Sequence, residues 1–158
     1  MGLIEQVWTS ARTAVGAINH VDLGTVDDRD LGRYATAVAG SVDADIAGMS
    51  TELFLSSVLV WGDGPPEDDL LPDGNAADPF AGFDVAGLRL MAGGQELDFH
   101  RDLVPGVRIV LDVVLAAADL TQTRSGPLLV LRVDRRYSDE HGVLVECRET
   151  FLGREASV

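Results

Sequence analysis

The sequence predicts a single α+β domain, in which a curved antiparallel sheet wraps around a central helix and an extra helix lies at the N-terminus. Three observations favour this class. One long apolar segment, Met49–Trp61, has the composition of a buried helix, about four strand-like segments follow it, and a polar turn joins the last two strands. The chain has 158 residues, of which 46% are hydrophobic, and this is enough to form the core of one ordinary domain.

The first element is an amphipathic helix, predicted over residues 3–18. Its apolar residues recur at helical spacing: Ile4, Val7, Trp8, Ala11, Ala14, Val15 and Ile18. We divide the chain into this N-terminal helical segment, residues 1–22, and a main domain, residues 23–158. A membrane-surface helix needs a basic face, and Arg12 is the only cation of this helix. We therefore expect the helix to pack on the domain or on a partner chain.

A second helix is predicted to begin at Asp27 and Asp28, which suit an N-cap and a first turn, and to end at Gly40. Its apolar face is formed by residues that lie three or four positions apart: Leu31, Tyr34, Ala35 and Val38. This pattern is typical of a helix that packs one side against a core.

The central helix Met49–Trp61 has Ser50 or Thr51 as a possible cap. Residues 62–86, which follow it, are rich in Gly, Pro and Asp and are predicted to form a long loop. The acidic run at residues 67–69 has the spacing of no calcium-binding loop, and it is predicted to be an exposed spacer.

The second half of the chain has the pattern of an antiparallel meander. The predicted strands cover residues 88–99, 107–115, 128–137 and 143–152. In the first strand the alternation changes phase at Gly93-Gly94, which predicts a β-bulge. Residues 104–107, Val-Pro-Gly-Val, carry Pro and Gly where a type II turn requires them. Residues 139–142 form a polar hairpin turn between the last two strands.

Charge and composition exclude several classes of partner. The formal net charge of −14 would repel the phosphates of nucleic acids and anionic membrane surfaces, so we expect neither as a partner. All twelve basic residues are Arg, which excludes a Schiff-base lysine. Cys147 is the only cysteine, so no internal disulfide forms and a cytoplasmic location is the simplest prediction. The sequence offers no set of ligands for a metal site, and we expect no cofactor.

Several segments carry a family resemblance. Residues 93–106, GGQELDFHRDLVPG, resemble the glycine-rich strand, the FHRPL segment and the Pro-Gly turn of MaoC-like acyl-thioester hydratases and dehydratases. Residues 125–130, SGPLLV, and 139–145, DEHGVLV, resemble paired strands of the MaoC-like, or FAS1-like, dehydratase N-terminal domains. Residues 34–40 resemble the helix before the active-site loop of that family, and residues 49–55 stand where relatives usually have APPTFL.

The resemblance covers residues 26–153, and it implies a hot-dog fold and chemistry on acyl thioesters. The family adds or removes water with a carboxylate and an imidazole on the loop before the central helix, in the motif Gly-Asp-x-Asn-Pro-x-His. A backbone N–H polarises the thioester carbonyl. Here Gly40 is followed by a segment without Asn-Pro and without His. Asp43 and Asp45 are candidate remnants of the site, but without an imidazole they lack half of the acid–base pair, and solvated positions near a helix start also explain them.

A second group of candidate catalytic residues lies on the first strand of the meander. Alternation places Glu96, Asp98 and His100 on one face. They form either an acid–base cluster or an exposed or interfacial group, as is common on the outer face of an antiparallel sheet. His20 and His141 are predicted to be surface residues.

Five arginines are candidates for substrate binding: Arg101, Arg108, Arg132, Arg135 and Arg136. A guanidinium group binds phosphate well, so these residues would hold the nucleotide of CoA or an acidic carrier protein. A role in surface solubility explains them equally well.

The resemblance leaves three hypotheses about function. In the first, the chain is the non-catalytic, substrate-shaping half of a double hot dog, and a second hot-dog subunit of the heteromeric acyl-CoA or acyl-carrier-protein hydratase or dehydratase supplies the missing Asp and His. In the second, it is a self-sufficient homodimeric enzyme, a thioesterase or a specialised dehydratase of natural-product or lipid metabolism, which uses Glu96, Asp98, His100 or Asp43. In the third, it binds an acyl thioester or a protein partner without turnover.

Overall fold

The computed structural model describes residues 1–39, 52–55, 67 and 84–156. The helices in this part of the chain are α1 (Leu3–Ala14), α2 (Asp28–Ala39) and α3 (Glu52–Phe54), and the strands are β1 (Ile18–Thr25), β2 (Leu88–Phe99), β3 (Arg108–Thr123), β4 (Gly126–Asp139) and β5 (Gly142–Glu155). None of these helices has the length and the apolar composition needed to cross a membrane.

The five strands join one curved antiparallel sheet in the order β1-β3-β4-β5-β2. Alternate residues of each strand face the helices, and this inner face forms the core of the domain. Its buried side chains include Ile109, Leu111, Val113, Leu115, Leu129, Leu131, Val133 and Val145. The outer face carries most of the charged side chains of the strands. The predicted fold class, an α+β domain with a curved antiparallel sheet, is confirmed.

Helix α1 packs on the domain itself, which was one of the two predicted positions. Ile4, Val7 and Ala11 are buried, and Trp8 Nε1 donates a hydrogen bond to the backbone oxygen of Ala118 at 3.1 Å. The prediction that this helix continues to residue 18 is wrong. It ends at residue 14, because the chain reverses at a glycine with φ of 84° and then pairs with β3.

Strand β1 was not predicted. It pairs with β3 from Ile18 to Thr25, and Val21 and Leu23 are partly buried against the core. Its sequence, INHVDLGT, contains Asn, Asp and Gly, which are uncommon in strands. The strand forms because a long neighbouring strand offers its backbone for pairing, and the local sequence does not contain this information.

Helix α2 begins as predicted. Asp27 is its N-cap, because the carboxylate accepts a hydrogen bond from the backbone N–H of Asp30 at 2.8 Å. The Tyr34 ring packs edge-on against Phe54, with 5.4 Å between the ring centroids. Val38, which was predicted on the same apolar face, is 60% exposed, so the packed face is shorter than predicted.

The predicted central helix, Met49–Trp61, is described over residues 52–55 only. In this short piece Phe54 and Leu55 are each 1% exposed and belong to the core cluster, which agrees with the expected burial. The remainder of that helix and most of the predicted loop 62–86 lie outside the described residues.

Strand β2 is continuous and contains the predicted bulge. Its register with β5 shifts by one residue at Gly93. A Cβ atom at Gly93 would lie 3.1 Å from Thr150 Cγ2, so the close approach of β5 favours glycine here. Because of the bulge, residues on both sides of it pack against the core, Leu90 before it and Leu97 after it.

The turn before β3 also has the predicted geometry. Gly106 has a φ of 85°, as the third residue of a type II turn requires, and its N–H donates to the backbone oxygen of Val26 at 2.8 Å. Strands β3, β4 and β5 have 16, 14 and 14 residues and are longer than predicted. These long strands give the sheet a wide outer face as well as a wide inner face.

Candidate functional site

The outer face carries two of the predicted catalytic residues, Glu96 and Asp98. Both contact Arg148 on β5: Arg148 Nη2 lies 2.9 Å from Asp98 Oδ2, and Nη1 lies 3.6 Å from Glu96 Oε2. The hydrogen bond to Asp98 raises the pKa of Arg148 above its usual value. A guanidinium group does not release its proton near neutral pH. This trio therefore contains no acid–base pair.

His100, the third predicted catalytic residue of this strand, also lies on the outer side. Its Nε2 is 3.2 Å from Glu146 Oε2, and Arg136 Nη2 is 2.8 Å from the other oxygen of the same carboxylate. Arg136, and to a smaller extent His100, hold the pKa of Glu146 below its usual value. The imidazole is thus tied to a carboxylate that a second cation already neutralises.

The chain has three histidines, all of them within the described residues, and none of them belongs to the inner face. His20 Nδ1 lies 2.6 Å from Asp112 Oδ1 on the outer face, and His141 is in the exposed turn between β4 and β5. Their side chains are 69% and 66% exposed, as predicted for surface residues. An imidazole is therefore absent from the concave side of the sheet.

A groove of about 350 Å³ crosses the outer face. Charged side chains of both signs line it, together with two apolar residues: Asp112, Asp134, Arg136, Glu146, Arg148, Ile18 and Val114. The strand register places His20, Asp112, Arg136 and Glu146 in one row across four strands. Opposite charges therefore alternate along the row and compensate each other.

Four of the five candidate substrate-binding arginines pair with carboxylates on the protein. The pairs are Arg101–Asp139, Arg108–Asp22, Arg132–Asp119 and Arg136–Glu146. Asp139 is the least exposed of these carboxylates, with 1% of its side chain exposed. Burial alone would raise the pKa of Asp139, but hydrogen bonds from the His141 N–H and from Arg101 hold it below its usual value.

Arg135, the fifth candidate, lies on the inner face instead. It shares the phase of the core residues Val133 and Tyr137, and its side chain is 10% exposed. It forms an ion pair with Glu149 of β5, whose side chain is 18% exposed. Burial lowers the pKa of Arg135 from its usual value, and its neighbours Tyr137 and Cys147 partly oppose this.

Gln95 of β2 completes this group at the edge of the sheet. Its Nε2 donates to Glu149 Oε1 at 3.0 Å and to Cys147 Sγ at 3.3 Å. We call Gln95, Arg135 and Glu149 the inner polar cluster. Of these residues the sequence analysis selected only Arg135, and it did so as one of several surface arginines.

Two further inner-face residues beside this cluster have unusual protonation behaviour. Burial raises the pKa of Tyr137 to about 12 and raises the pKa of the Cys147 thiol. Both groups are therefore protonated at neutral pH. A buried neutral thiol is a poor nucleophile, so neither residue provides acid–base or nucleophilic chemistry under these conditions.

Asp43 and Asp45, the two candidates from the segment after Gly40, lie outside the described residues. Over the ranges that are described, no group of three His, Cys, Asp or Glu side chains is arranged to bind a metal ion.

A family model described as FAS1-like, dehydratase domain region, matches residues 61–148. No curated protein matches this chain. The family match includes β2, β3, β4 and most of β5, which together contribute the inner polar cluster.

Solved structures with the same fold include several dehydratases. A chain of the ChsH1–ChsH2 complex from Mycobacterium tuberculosis has a TM-score of 0.61 and 17% identity, over 98% of this chain and 93% of that chain. The MaoC-like dehydratase from Rhodospirillum rubrum has a TM-score of 0.56 and 15% identity, over 92% and 95%. The truncated HadBC complex from Mycobacterium tuberculosis, a 3R-hydroxyacyl-ACP dehydratase, has 0.52 and 16%, over 87% and 96%. The predicted hot-dog fold is thereby confirmed.

Proposed function

The chain belongs to the FAS1-like, MaoC-like dehydratase family, and from this premise we propose that it is the non-catalytic, substrate-shaping subunit of a heteromeric, cytoplasmic acyl-thioester hydratase or dehydratase. The partner subunit is a second hot-dog chain that carries the catalytic Asp and His. The substrate is an enoyl or 3-hydroxyacyl thioester of CoA or of an acyl carrier protein.

The position of the three histidines carries the proposal. Hydration of an enoyl thioester needs a group that takes a proton from water and a group that gives one to the substrate, and an imidazole beside a carboxylate is the family's solution. His20, His100 and His141 lie on the outer face or in a turn. The segment between Gly40 and Met49 adds no further histidine, because the chain has three in all.

The inner face of the sheet is the part that remains for a substrate-shaping subunit. It is mainly apolar, which suits an acyl chain, and the inner polar cluster interrupts it near β2. The two buried groups beside the cluster, Tyr137 and Cys147, stay protonated near neutral pH and offer no alternative catalytic pair. In the proposed complex this chain positions and encloses the acyl group while the partner's residues transfer the proton.

The edge strand β2 supports association with a second hot-dog subunit. Within the described residues β2 pairs with β5 on one side only. It is 12 residues long and carries two exposed large apolar side chains, Met91 at 38% and Phe99 at 39%. A long edge of this kind favours pairing with another strand. The ChsH1–ChsH2 and HadBC structures are complexes, which supports the same arrangement.

The test is to purify the full chain through a tag from its native cells and to identify co-purifying proteins by mass spectrometry. We expect a hot-dog partner with an intact Gly-Asp-x-Asn-Pro-x-His loop, and we expect the complex, but not the isolated chain, to hydrate enoyl-CoA. The variant Phe99→Glu should lose the partner. Val15→Glu is the matched control, because Val15 has a similar exposure, 41%, but lies next to the opposite edge strand β1.

Hydratase or thioesterase activity from the isolated chain would contradict the proposal and favour a self-sufficient enzyme. If His100→Ala removed that activity, the outer face would be its site. A complex that binds acyl thioesters but never converts them would favour the binding protein of the third hypothesis.

A further inference from the structure

We propose that Gln95 is a specificity residue that binds a hydroxyl group on the acyl chain of the substrate, and that Arg135 and Glu149 hold it in position. This inference rests on the proposed function, in which the inner face of this chain holds the acyl group. It adds a substrate class, namely acyl thioesters whose chain carries a hydroxyl group.

The first argument is that the inner polar cluster lies where an apolar surface would serve stability as well. Arg135 and Glu149 are largely buried on the inner face. Their neighbours in the core are apolar: Leu97, Leu131, Val133 and Phe151. Removing two charges from water is costly, and an apolar pair of similar volume at such a position is commonly as stable as the ion pair or more so. Stability therefore does not explain why this face carries an ion pair.

The second argument is the orientation of the Gln95 amide. An ionised carboxylate only accepts hydrogen bonds, so the NH₂ group of Gln95 must face Glu149. The geometry agrees, because Nε2 lies 3.0 Å from Glu149 Oε1. The amide oxygen then points away from the ion pair, and no donor from any described residue reaches it. Glu149, itself held by Arg135, thus fixes an open hydrogen-bond acceptor.

The third argument is the position of this acceptor. Gln95 lies on the edge strand β2 and is exposed, while the groups that hold it are buried behind it. A few fixed polar groups within an apolar lining are typical of ligand pockets, where they set the orientation of the ligand. Because the ion pair is neutral as a whole and Gln95 presents an acceptor, the complementary group is a neutral donor. On an acyl chain that donor is a hydroxyl group.

The experiment compares the binding of saturated acyl-CoA thioesters of increasing chain length, each paired with its terminally hydroxylated counterpart. Calorimetry is carried out on the full chain in the complex that co-purifies with it, and on the chain alone. At one chain length we expect the hydroxylated form to bind about tenfold more tightly, as one added neutral hydrogen bond allows. Gln95→Leu should abolish this preference, and Gln95→Ala should do the same.

Glu149→Gln tests the positioning role, since it keeps the size of the side chain but no longer requires the NH₂ group of Gln95 to face it. It should reduce the preference for the hydroxylated chain while the affinity for the plain chain changes little. Gln122→Leu makes the same chemical change as Gln95→Leu at an exposed residue of β3, and it should retain the full preference.

A preference that survives Gln95→Leu would overturn the inference. So would a loss of affinity for CoA itself in that variant, because the donor would then be an amide N–H of the pantetheine arm. Weakened assembly of the complex with an unchanged preference would make Gln95 an interface contact and would also overturn it. Catalysis by the isolated chain would contradict the proposed function alone, because the binding preference is measured without turnover.

Discussion

The two faces of the sheet use charge in opposite ways. On the outer face, charges are numerous, exposed and paired across neighbouring strands, as in the row from His20 to Glu146. On the inner face one ion pair, Arg135–Glu149, is largely removed from water. The same alternation of side chains along the strands produces both faces.

This difference shows that the number of charged residues is a poor guide to a functional site. Exposed ion pairs in water contribute little to stability, because solvent and salt screen them. A buried pair is far more sensitive, since removal of one partner leaves a charge with neither water nor a counter-ion. Substitutions on the two faces should therefore have very different consequences.

The largest expected effect is that of Glu149→Leu on the inner face. This change leaves the Arg135 guanidinium largely buried without its carboxylate, and we expect the free energy of unfolding to fall by about 3 kcal/mol. Chemical denaturation followed by circular dichroism measures it. The double variant Arg135→Met with Glu149→Leu should recover most of the loss, because both charges are then gone.

Glu96→Leu is the matched outer-face control for that experiment. Its side chain is 78% exposed, and we expect its unfolding curve to overlay that of the native protein. If Glu149→Leu were as stable as the control, Glu149 would not be the group that balances Arg135, and the contrast between the two faces would be lost.

An intermediate effect is expected at the end of β4, where Asp139 is buried but its partner Arg101 is one-third exposed. The pKa of Asp139 is below its ordinary value of 3.8, so the carboxylate stabilises the fold fully above pH 3.8. This stabilisation is lost as the pH falls through the lower, folded-state pKa. Asp139→Asn should therefore reduce stability at neutral pH by about 1–3 kcal/mol, as expected for a charge-assisted hydrogen bond.

The pH dependence distinguishes this explanation from a simple packing defect. The difference in stability between native protein and Asp139→Asn should be constant at neutral pH and should shrink as the pH falls below 3.8. Thermal unfolding at a series of pH values measures it. A difference that stays the same in acid would mean that the charge of Asp139 plays no part.

The elements that the sequence predicted well are those with local causes. Asp27 caps α2, Gly93 marks the bulge of β2, and Gly106 closes the turn before β3, because each depends on the conformational or hydrogen-bonding properties of a single residue type. Strand β1 was missed because its pairing with β3 depends on a segment about 90 residues later in the chain. The end of α1 was missed for the same reason.

The candidate site shows a similar division. The absence of histidine between Gly40 and Met49 can be read directly from the sequence, and so can the shared face of Glu96 and Asp98. The inner polar cluster was not predicted, although a signal for Arg135 exists, because it has the phase of Val133 and Tyr137, both of which are core residues. Gln95 and Glu149 could not be connected to Arg135 without the register of β2, β5 and β4.

The smallest effect is expected for Arg136→Ala in the middle of the outer face. The Arg136 side chain is 57% exposed and its partner Glu146 is 27% exposed, so the loss in unfolding free energy should be less than about 1 kcal/mol. It should shrink further at high salt, because exposed pairs are screened. Denaturation at low and at high ionic strength measures both values. A larger loss that salt does not reduce would contradict the contrast between the faces, since it would mean that the outer groove is shielded from solvent by a partner subunit.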